Sequence, residues 1–371
     1  MVNKFLVPPG FKDNIDFDAF VEHQFKNLII DSFRENGFSL IKTPLIEYSK
    51  NLDSNTLLLK KNKKIENLSI RNDITPQVIR ITSSRLSKKK RPLKLCYYGE
   101  VVRKKGSILR PERQFQQVGA EIIGSDSYKA DVEIISLAYQ ALQNIGIKHI
   151  TIEISIPTLL DRLLNNIKQT EVRNQIQRFI SFKDLNNCLD LLQNKDVKDI
   201  LKILYSCSGQ VKNNNLKISK FIDKLSDKNE IINLNKIIRQ IKVSKNDTLN
   251  VDFFDNKKDK KYYQGMKFTF FAKGVRGEIA GGGRYKLNYQ NNTEEAIGYT
   301  CYMDTIVRAS SLKNKNKKIL VPFNINLKNK KLLIRKGYTL FKTFDDNTHL
   351  KLQSIKLGIK YYLSNKVVKK I

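Results

Sequence analysis

Two β-rich segments separated by a short basic loop constrain the fold of this chain more than any other feature. The segments LKLCYYGEVVRK and QFQQVGAEIIG are rich in aromatic and β-branched residues, and the loop 104–112 joins them. A connection this short pairs strands in antiparallel fashion, because parallel strands need a crossover of a dozen or more residues. The sequence therefore predicts a mostly antiparallel sheet at the centre of the molecule.

Helices interrupt the strands without the regular alternation of a parallel sheet. Residues 15–36 and 127–147 have apolar residues at helical spacing. We expect Thr75 to cap a further helix, with Pro76 in its first turn. Strands are predicted at GFSLIKTPLIEY, NLSI, HITIEIS, TLNVDFF, YYQGMKFTFFAKG and EIAGGGRYK, and a closing helix at IGYTCYMDTIVRASSL. The pattern indicates an α+β fold.

Changes of composition divide the chain into three parts. From 157 to 244, Leu, Ile, Lys and Asn dominate with helical periodicity, which predicts an insertion of four or five short helices. The flanking segments 1–156 and 245–311 form the predicted core. Residues 316–371 follow a charged linker and predict a small α/β domain that ends in a single strand.

Composition excludes several classes of protein. Of the 371 residues, 40% are hydrophobic, which is typical of a folded protein, and no apolar run is long enough to predict a membrane span. The four cysteines and three histidines are scattered, so we expect no disulfide framework, metal site or histidine triad. The sequence contains neither of the glycine-rich spacings that form phosphate-binding loops, so we expect no nucleotide cofactor. The N-terminus does not resemble a signal peptide, which predicts a cytoplasmic protein.

The net charge of +32 raises the question of a nucleic-acid partner. The excess lysines are spread along the chain beside abundant Asn and Ile, and these three residues share A/T-rich codons. The sequence shows no clear stripe of aromatic residues in a basic groove. We therefore do not expect the protein to bind nucleic acid.

Three segments together resemble the motifs of class II aminoacyl-tRNA synthetases. GFSLIKTPLIEY is similar to their first motif, which forms a dimer interface around its proline, here Pro44. VVRKKGSILRPERQFQQVGAE is similar to the second motif, and AGGGRY followed by AIGYTCYMDTIV stands where the third belongs. Within this class, LVPPGFKD, YYQG and GGRY resemble histidyl-tRNA synthetases. The resemblance covers residues 1 to about 310 and implies an antiparallel sheet flanked by helices.

Several positions that contact ATP in the synthetases differ in this chain. Lys258 stands where the family has the arginine of an Arg-Gly-Leu-Asp sequence before its tyrosine pair. Lys105 replaces a glutamate, and Thr305 replaces the arginine that holds the γ-phosphate, whereas Arg103 is retained. A lysine cannot reproduce the bidentate fork of a guanidinium. The resemblance therefore implies that activation of an amino acid has been lost.

The positions that surround bound histidine in the synthetases are better retained. Because Gln117 and Glu121 are an even number of residues apart, they project from the same face of a regular strand. Carboxylates and tyrosine hydroxyls can pair with an ammonium group or an imidazole ring. An alternative is that these residues only support the fold. The resemblance implies a histidine-binding set of Asp73, Thr75, Arg103, Gln117, Glu121, Tyr262 and Tyr263.

One branch of the synthetase-like proteins combines these traits. IRNDITPQVIRI is similar to the Arg-x-Asp-x-Thr-Pro-Gln-Val sequence of ATP phosphoribosyltransferase regulatory subunits, and Asp304 also fits that family. The resemblance implies a non-catalytic subunit that assembles with a short-form catalytic subunit in the first step of histidine biosynthesis. It also implies self-association around Pro44 and feedback by L-histidine. A diverged histidyl-tRNA synthetase and a tRNA-binding regulatory protein stay open as alternatives.

Overall fold

The computed structural model of the protein describes most of the chain, and α-carbon contacts divide it into two units, Met1–Ser311 and Leu312–Ile371. The predicted bounds of the helical insertion, residues 157 and 244, stay a prediction, because both positions lie inside the first unit and the division between the two units does not test them. The described residues are 5–48, 55–59, 68–165, 167, 169–211, 228–255, 265–289, 292–310, 317–345 and 349–371.

Nine of the described strands form one sheet at the centre of the first unit. Their order across the sheet is β1-β5-β6-β12-β11-β10-β7-β9-β8. Neighbours are antiparallel except for the pairs β1–β5 and β7–β9, as the short hairpin of β5 and β6 predicted. The strands are β1 (Ser39–Ile41), β5 (Leu93–Val102), β6 (Gln114–Ile123), β7 (Ile150–Ser155), β8 (Gly209–Gln210), β9 (Thr248–Val251), β10 (Lys267–Ala272), β11 (Ala280–Tyr289) and β12 (Asn292–Tyr302).

Both faces of this sheet are covered. Helices α1 (Phe17–Glu35) and α3 (Tyr128–Asn144) pack on one face, against side chains such as Ile122 and Tyr299. Helix α2 (Thr75–Ser83) packs on the other face, where Val78 joins the aromatic residue Tyr97. The second face carries the alternate residues of each strand, including Glu121.

Pro44 lies between two short strands that belong to different sheets. Strand β1 ends at Ile41, and β2 (Ile46–Tyr48) begins a separate antiparallel sheet with β3 (Leu57–Leu58) and β4 (Leu68–Ile70) in the order β2-β4-β3. The proline therefore separates the two strands of the predicted segment, since its ring nitrogen cannot donate to a ladder.

The closing helix begins later than the sequence predicted. Strand β12 continues to Tyr302, and helix α9 occupies only Met303–Ala309. Strands β6 and β11 pair with both edges of β12, so that its backbone is held by distant segments of the chain. The helix prediction for Ile297–Tyr302 was wrong because the strand is buried on both faces and shows no alternation.

Helices dominate the segment between β7 and β9, apart from the two-residue strand β8. Apolar residues at helical spacing turn one side of each helix inward, including Ile176, Leu201 and Ile237. A further predicted helix, LKISKFIDKLSD, lies outside the described residues. The described helices are α4 (Pro157–Leu164), α5 (Thr170–Ser181), α6 (Leu185–Leu191), α7 (Lys195–Cys207) and α8 (Lys228–Gln240).

The second unit is a four-stranded α/β sheet with the order β14-β13-β15-β16. Strand β13 is parallel to both of its neighbours. The predicted final strand is a hairpin of β15 and β16, joined by Asn365 and Lys366 at positive φ, as in two-residue hairpin turns. Its elements are β13 (Lys317–Val321), α10 (Leu327–Arg335), β14 (Tyr338–Lys342), α11 (Leu350–Lys356), β15 (Tyr361–Ser364) and β16 (Val367–Lys370).

Candidate functional site

Glu121 lies at the centre of a buried polar cluster on the sheet face that α2 covers. Its side chain is 1% exposed, and three hydroxyl groups surround its carboxyl group. Oε1 accepts from Thr75 Oγ1 at 3.1 Å and from the Tyr97 hydroxyl at 3.4 Å, while Oε2 accepts from the Tyr285 hydroxyl at 3.0 Å. The Tyr97 hydroxyl also lies 2.7 Å from Thr300 Oγ1. Four strands and one helix thus contribute to a single cluster.

A glycine on the neighbouring strand makes room for this carboxyl group. Gly298 of β12 stands directly opposite Glu121 of β6 in the sheet register. A methyl group on Gly298 would lie 1.5 Å from Glu121 Oε2, far inside van der Waals contact. The Glu121 side chain therefore lies across the backbone of β12, and the cluster depends on the missing side chain.

The start of α2 brings Asp73 and Thr75 to the same place. Ile74, which has no side-chain acceptor, occupies the N-cap position, and the Thr75 hydroxyl donates to Glu121. The prediction that Thr75 caps the helix was therefore wrong. Asp73 Oδ1 and Gln117 Oε1 both accept from the backbone N–H of Ile74, at 2.9 and 3.1 Å. Four of the predicted histidine-binding residues thus meet at one point.

Burial changes the charge state of this cluster. Removal from water raises the pKa of Glu121 to about 8, although the hydroxyls of Tyr285 and Thr75 oppose the shift. At neutral pH the carboxyl group is mostly protonated. A cationic ligand group at hydrogen-bond distance would favour the ionised form, because opposite charges stabilise each other strongly in a dry site.

Arg71 anchors the loop that leads into α2. It is 4% exposed, its Nη1 donates to the backbone oxygen and the hydroxyl of Thr43, and its Nε donates to the backbone oxygen of Glu100. Nη1 also donates to Gln77 Oε1. Gly99 leaves the space that the guanidinium fills, since a methyl group there would lie 2.0 Å from Nη2.

The predicted ATP-site positions do not form a phosphate-binding cluster among the described residues. Thr305 is fully buried, and its hydroxyl donates to Asp304 Oδ2 at 3.3 Å. Lys105 is exposed on the loop between β5 and β6. The guanidinium of Arg103 lies 4.8 Å from the ring centroid of Phe115, on the side of β6 that also carries Gln117.

Arg110 occupies the space beside these positions. Its side chain is 3% exposed, and Nη2 donates to Asp304 Oδ1 at 3.0 Å. The guanidinium lies 3.9 Å from the ring centroid of Tyr302 and 4.4 Å from that of Phe115, and Glu278 is 3.6 Å from Nη1. Protein carboxylates and aromatic rings therefore surround this buried cation.

Three predicted site residues, Lys258, Tyr262 and Tyr263, lie outside the described residues, and their roles stay predictions. The hydroxyls of Tyr97, Tyr285 and Thr300 were not predicted as site groups from the sequence. Tyr285 belongs to the GGRY sequence that the resemblance singled out, so its alternation with Gly283 along a strand was a usable signal.

No group of three or more His, Cys, Asp or Glu side chains among the described residues is arranged to hold a metal ion. None of the described helices is long and apolar enough to cross a membrane.

The sheet, the buried polar cluster on its face and the hairpin of β5 and β6 define a class II synthetase-like protein, and the family model of histidyl-tRNA synthetase matches residues 10–306. The ATP phosphoribosyltransferase regulatory subunit of Rhodospirillum centenum is 30% identical over 85% of this chain and 83% of its own length. That of Paramagnetospirillum magneticum is 29% identical over 86% of both. The chain belongs to the family of ATP phosphoribosyltransferase regulatory subunits, within the histidyl-tRNA synthetase-like proteins.

Solved structures agree with this assignment at the level of the fold. An ATP phosphoribosyltransferase regulatory subunit/histidyl-tRNA synthetase from Bacillus halodurans C has a TM-score of 0.74 and 20% identity, covering 95% of this chain and 96% of that one. The ATP phosphoribosyl transferase (HisG:HisZ) complex from Thermotoga maritima has a TM-score of 0.60 and 18% identity, covering 76% and 98%. The predicted α+β, class II synthetase-like fold is confirmed.

Proposed function

We propose that this chain is the non-catalytic regulatory subunit of a short-form ATP phosphoribosyltransferase, acting in the cytoplasm at the first step of histidine biosynthesis. The proposal is supported by the relatives that carry this name and by one contrast within the fold. Among the residues predicted to bind histidine, Thr75 donates to Glu121, and Asp73 and Gln117 both accept from the neighbouring Ile74 N–H. At the ATP positions, by contrast, Thr305 is enclosed against Asp304 and Lys105 is exposed on a loop.

The second half of this contrast removes a requirement of adenylate formation. A γ-phosphate needs positioned cations, and Thr305 offers a neutral, enclosed hydroxyl instead. The buried cation nearby, Arg110, is already neutralised by Asp304. The pair therefore offers no uncompensated positive charge to a triphosphate, which argues against activation of an amino acid by this chain.

The first half of the contrast supports L-histidine as the effector. Its ammonium and imidazole N–H groups are donors that suit Glu121, and the hydroxyl of Tyr285 can hydrogen-bond a ring nitrogen. Binding of histidine would replace neutral hydroxyl donors at the buried carboxyl group of Glu121 with a charged ammonium or imidazolium donor. Feedback then requires that histidine binds two states of the complex with different affinity.

The surface around Pro44 supports self-association of the regulatory chain. Ile46 and Tyr48 are 48% and 61% exposed, so two large side chains of one short strand face solvent side by side. A cavity of about 540 Å³ lies there, lined by Pro44, Ile46, Glu47, Tyr48, Leu68 and Arg80. We propose that a second copy covers this surface.

Ile46→Asp should yield monomers in sedimentation experiments, whereas Phe182→Asp, at an exposed site elsewhere, should not.

The regulatory role is tested by mixing the chain with the short-form catalytic subunit of the same source. Formation of phosphoribosyl-ATP is followed with and without the chain, and then with histidine. Stimulation by the chain that histidine reverses is the expected result. Absence of both complex and stimulation would overturn the proposal, and histidine-dependent ATP–pyrophosphate exchange by the chain alone would favour a diverged synthetase.

A further inference from the structure

The second unit has a cavity that the proposed regulatory role does not use. It lies where the carboxyl ends of its three parallel strands meet, and its volume is about 540 Å³. From its place in the sheet, its lining and its charge, we infer that this cavity binds a nucleoside monophosphate. The inference does not depend on the histidine pocket.

The topology of the sheet places the cavity at a switch in strand order. The chain passes from β13 through α10 to β14 on one side of β13, and then through α11 to β15 on the other side. Connections that leave a central strand in opposite directions open a crevice at the carboxyl ends of the strands. In open α/β sheets, ligands bind in that crevice.

All three parallel strands contribute to the lining. The turns that follow them supply Asn324 after β13, Thr343 and Asp345 after β14, and Asn365 after β15. The volume lies within the range of about 300–1,000 Å³ that small-molecule sites occupy. The full lining is Pro322, Phe323, Asn324, Thr343, Asp345, His349, Leu350, Lys351, Tyr362, Leu363, Ser364 and Asn365.

One wall of the cavity is held by its own hydrogen bonds. Thr343 Oγ1 donates to Gln353 Oε1 at 2.6 Å and accepts from the backbone N–H of Asp345 at 3.1 Å. Gln353 Nε2 donates to Asp345 Oδ2 at 3.2 Å. This network orients the Asp345 carboxylate without ligand, and a carboxylate at such a place can accept from a ribose hydroxyl or a base amino group.

Two exposed aromatic rings lie beside this wall. Phe323 and Phe344 are 55% and 83% exposed, and their ring centroids are 6.2 Å apart. Lys342 Nζ lies 5.0 Å from the ring centroid of Phe323. Exposed rings beside a cation are typical of surfaces on which nucleobases stack. A base held there would leave its phosphate to pair with Lys351 of the same lining.

The charge of the second unit favours a phosphate. Residues 312–371 contain sixteen Lys and Arg and two Asp and Glu, which amounts to +14 of the +32 carried by the whole chain. The excess charge is therefore more concentrated here than the sequence analysis expected. Asp345 is the only acidic residue among the described residues of this unit. The cavity also contains Lys351, whose ammonium group can pair with a phosphate.

The test measures binding of adenosine monophosphate to the full chain by calorimetry at moderate salt. We expect saturable binding of one nucleotide per chain. Lys351→Ala and Phe323→Ala should each weaken binding at least fivefold. The matched control is Lys336→Ala, which removes the same charge at the opposite edge of the sheet, just before β14, and should change affinity less than twofold.

Three outcomes would overturn the inference. The first is the absence of saturable nucleotide binding, and the second is an equal effect of Lys351→Ala and Lys336→Ala, which would indicate unspecific attraction. The third is tight binding of a single-stranded oligonucleotide with no measurable binding of the mononucleotide, which would make the surface an RNA site. If Phe323→Ala lowers the unfolding temperature, Asn324→Ala tests the same wall.

Discussion

The hydroxyl of Tyr285 reaches the carboxyl group of Glu121 across an intervening strand, at an oxygen–oxygen distance of 3.0 Å. Tyr285 lies on β11 and Glu121 on β6, and β12 runs between them. Gly298 on β12 allows this contact because no side chain stands in the way. The candidate site therefore depends on a residue that contributes no functional group.

Gly298→Ala is expected to lower the free energy of unfolding by about 2–3 kcal/mol, because the added methyl group displaces Glu121 and strains the strand. Chemical denaturation of the full chain measures the change. The control is Gly281→Ala on β11, where the nearest heavy atoms would be 3.8 Å from the methyl group. Equal losses in both variants would mean that the contact with Glu121 is not responsible.

Glu121→Gln is expected to change how stability depends on pH. The pKa of Glu121 is about 8 in the folded chain and near 4.5 when unfolded, so the folded state holds the proton more tightly. The free energy of unfolding of the parent chain should fall as pH rises from about 4.5 to 8, by on the order of 4 kcal/mol. The glutamine variant should lack this decline.

Asp131 provides an internal check on that experiment. Burial raises its pKa to about 6, and its ion pair with Arg284 opposes the shift. Both chains should therefore lose some stability between about pH 4 and pH 6. Curves that run parallel up to pH 9 would contradict the assignment to Glu121.

The buried pair of Arg110 and Asp304 is expected to behave as one unit. Asp304→Leu alone should cost about 3–5 kcal/mol, because it leaves Arg110 without its closest carboxylate in a dry environment. The double variant Arg110→Met with Asp304→Leu should recover most of that loss. A double-mutant cycle by chemical denaturation measures the coupling. Additive losses would show that the two side chains act independently.

Thr75→Val and Glu121→Ala are expected to weaken histidine binding at least tenfold in calorimetry, because each removes part of the cluster around the carboxyl group. Tyr263→Ala should act in the same direction. The matched control is Thr82→Val on the same helix, whose buried hydroxyl has no hydrogen-bond partner among the described residues. Unchanged affinity in folded Thr75→Val and Glu121→Ala chains would place the histidine site elsewhere.

Restoring single arginines should not restore amino-acid activation. Lys258→Arg alone should give no ATP–pyrophosphate exchange, because Thr305 remains enclosed. Thr305→Arg should instead destabilise the chain by about 3 kcal/mol or more, since a charged side chain would enter a fully buried position. Measurable exchange by either variant would contradict the proposed loss of activity.

Strand periodicity correctly predicted the common face of two residues of the candidate site. Gln117 and Glu121 were placed on one face because strand side chains alternate, and both belong to the buried cluster at the start of α2. Thr300 was missed because its segment was assigned to a helix. Burial of β12 on both faces removed the apolar–polar alternation that distinguishes a strand from a helix. Its pairing with β6 and β11 involves distant parts of the chain and cannot be predicted from local sequence patterns.

Competition for one side chain explains the error at the start of α2. The sequence places Thr75 where a capping hydroxyl belongs, and local propensity favours that use. In the fold, a carboxyl group from a strand 46 residues away takes the hydroxyl instead. A capping pattern and a ligand pocket use the same residue types, and only the tertiary structure separates them.

Arg71 connects the surface around Pro44 to the start of the candidate histidine site. Its guanidinium holds Thr43, next to the proposed contact surface at Pro44, while its own backbone leads two residues later into Asp73 of the pocket. A substitution that shifts this loop and so alters the proposed histidine site should therefore also disturb the proposed self-association surface around Pro44. Evolutionary changes in the two proposed properties, histidine binding and self-association, are therefore coupled through the side chain of Arg71.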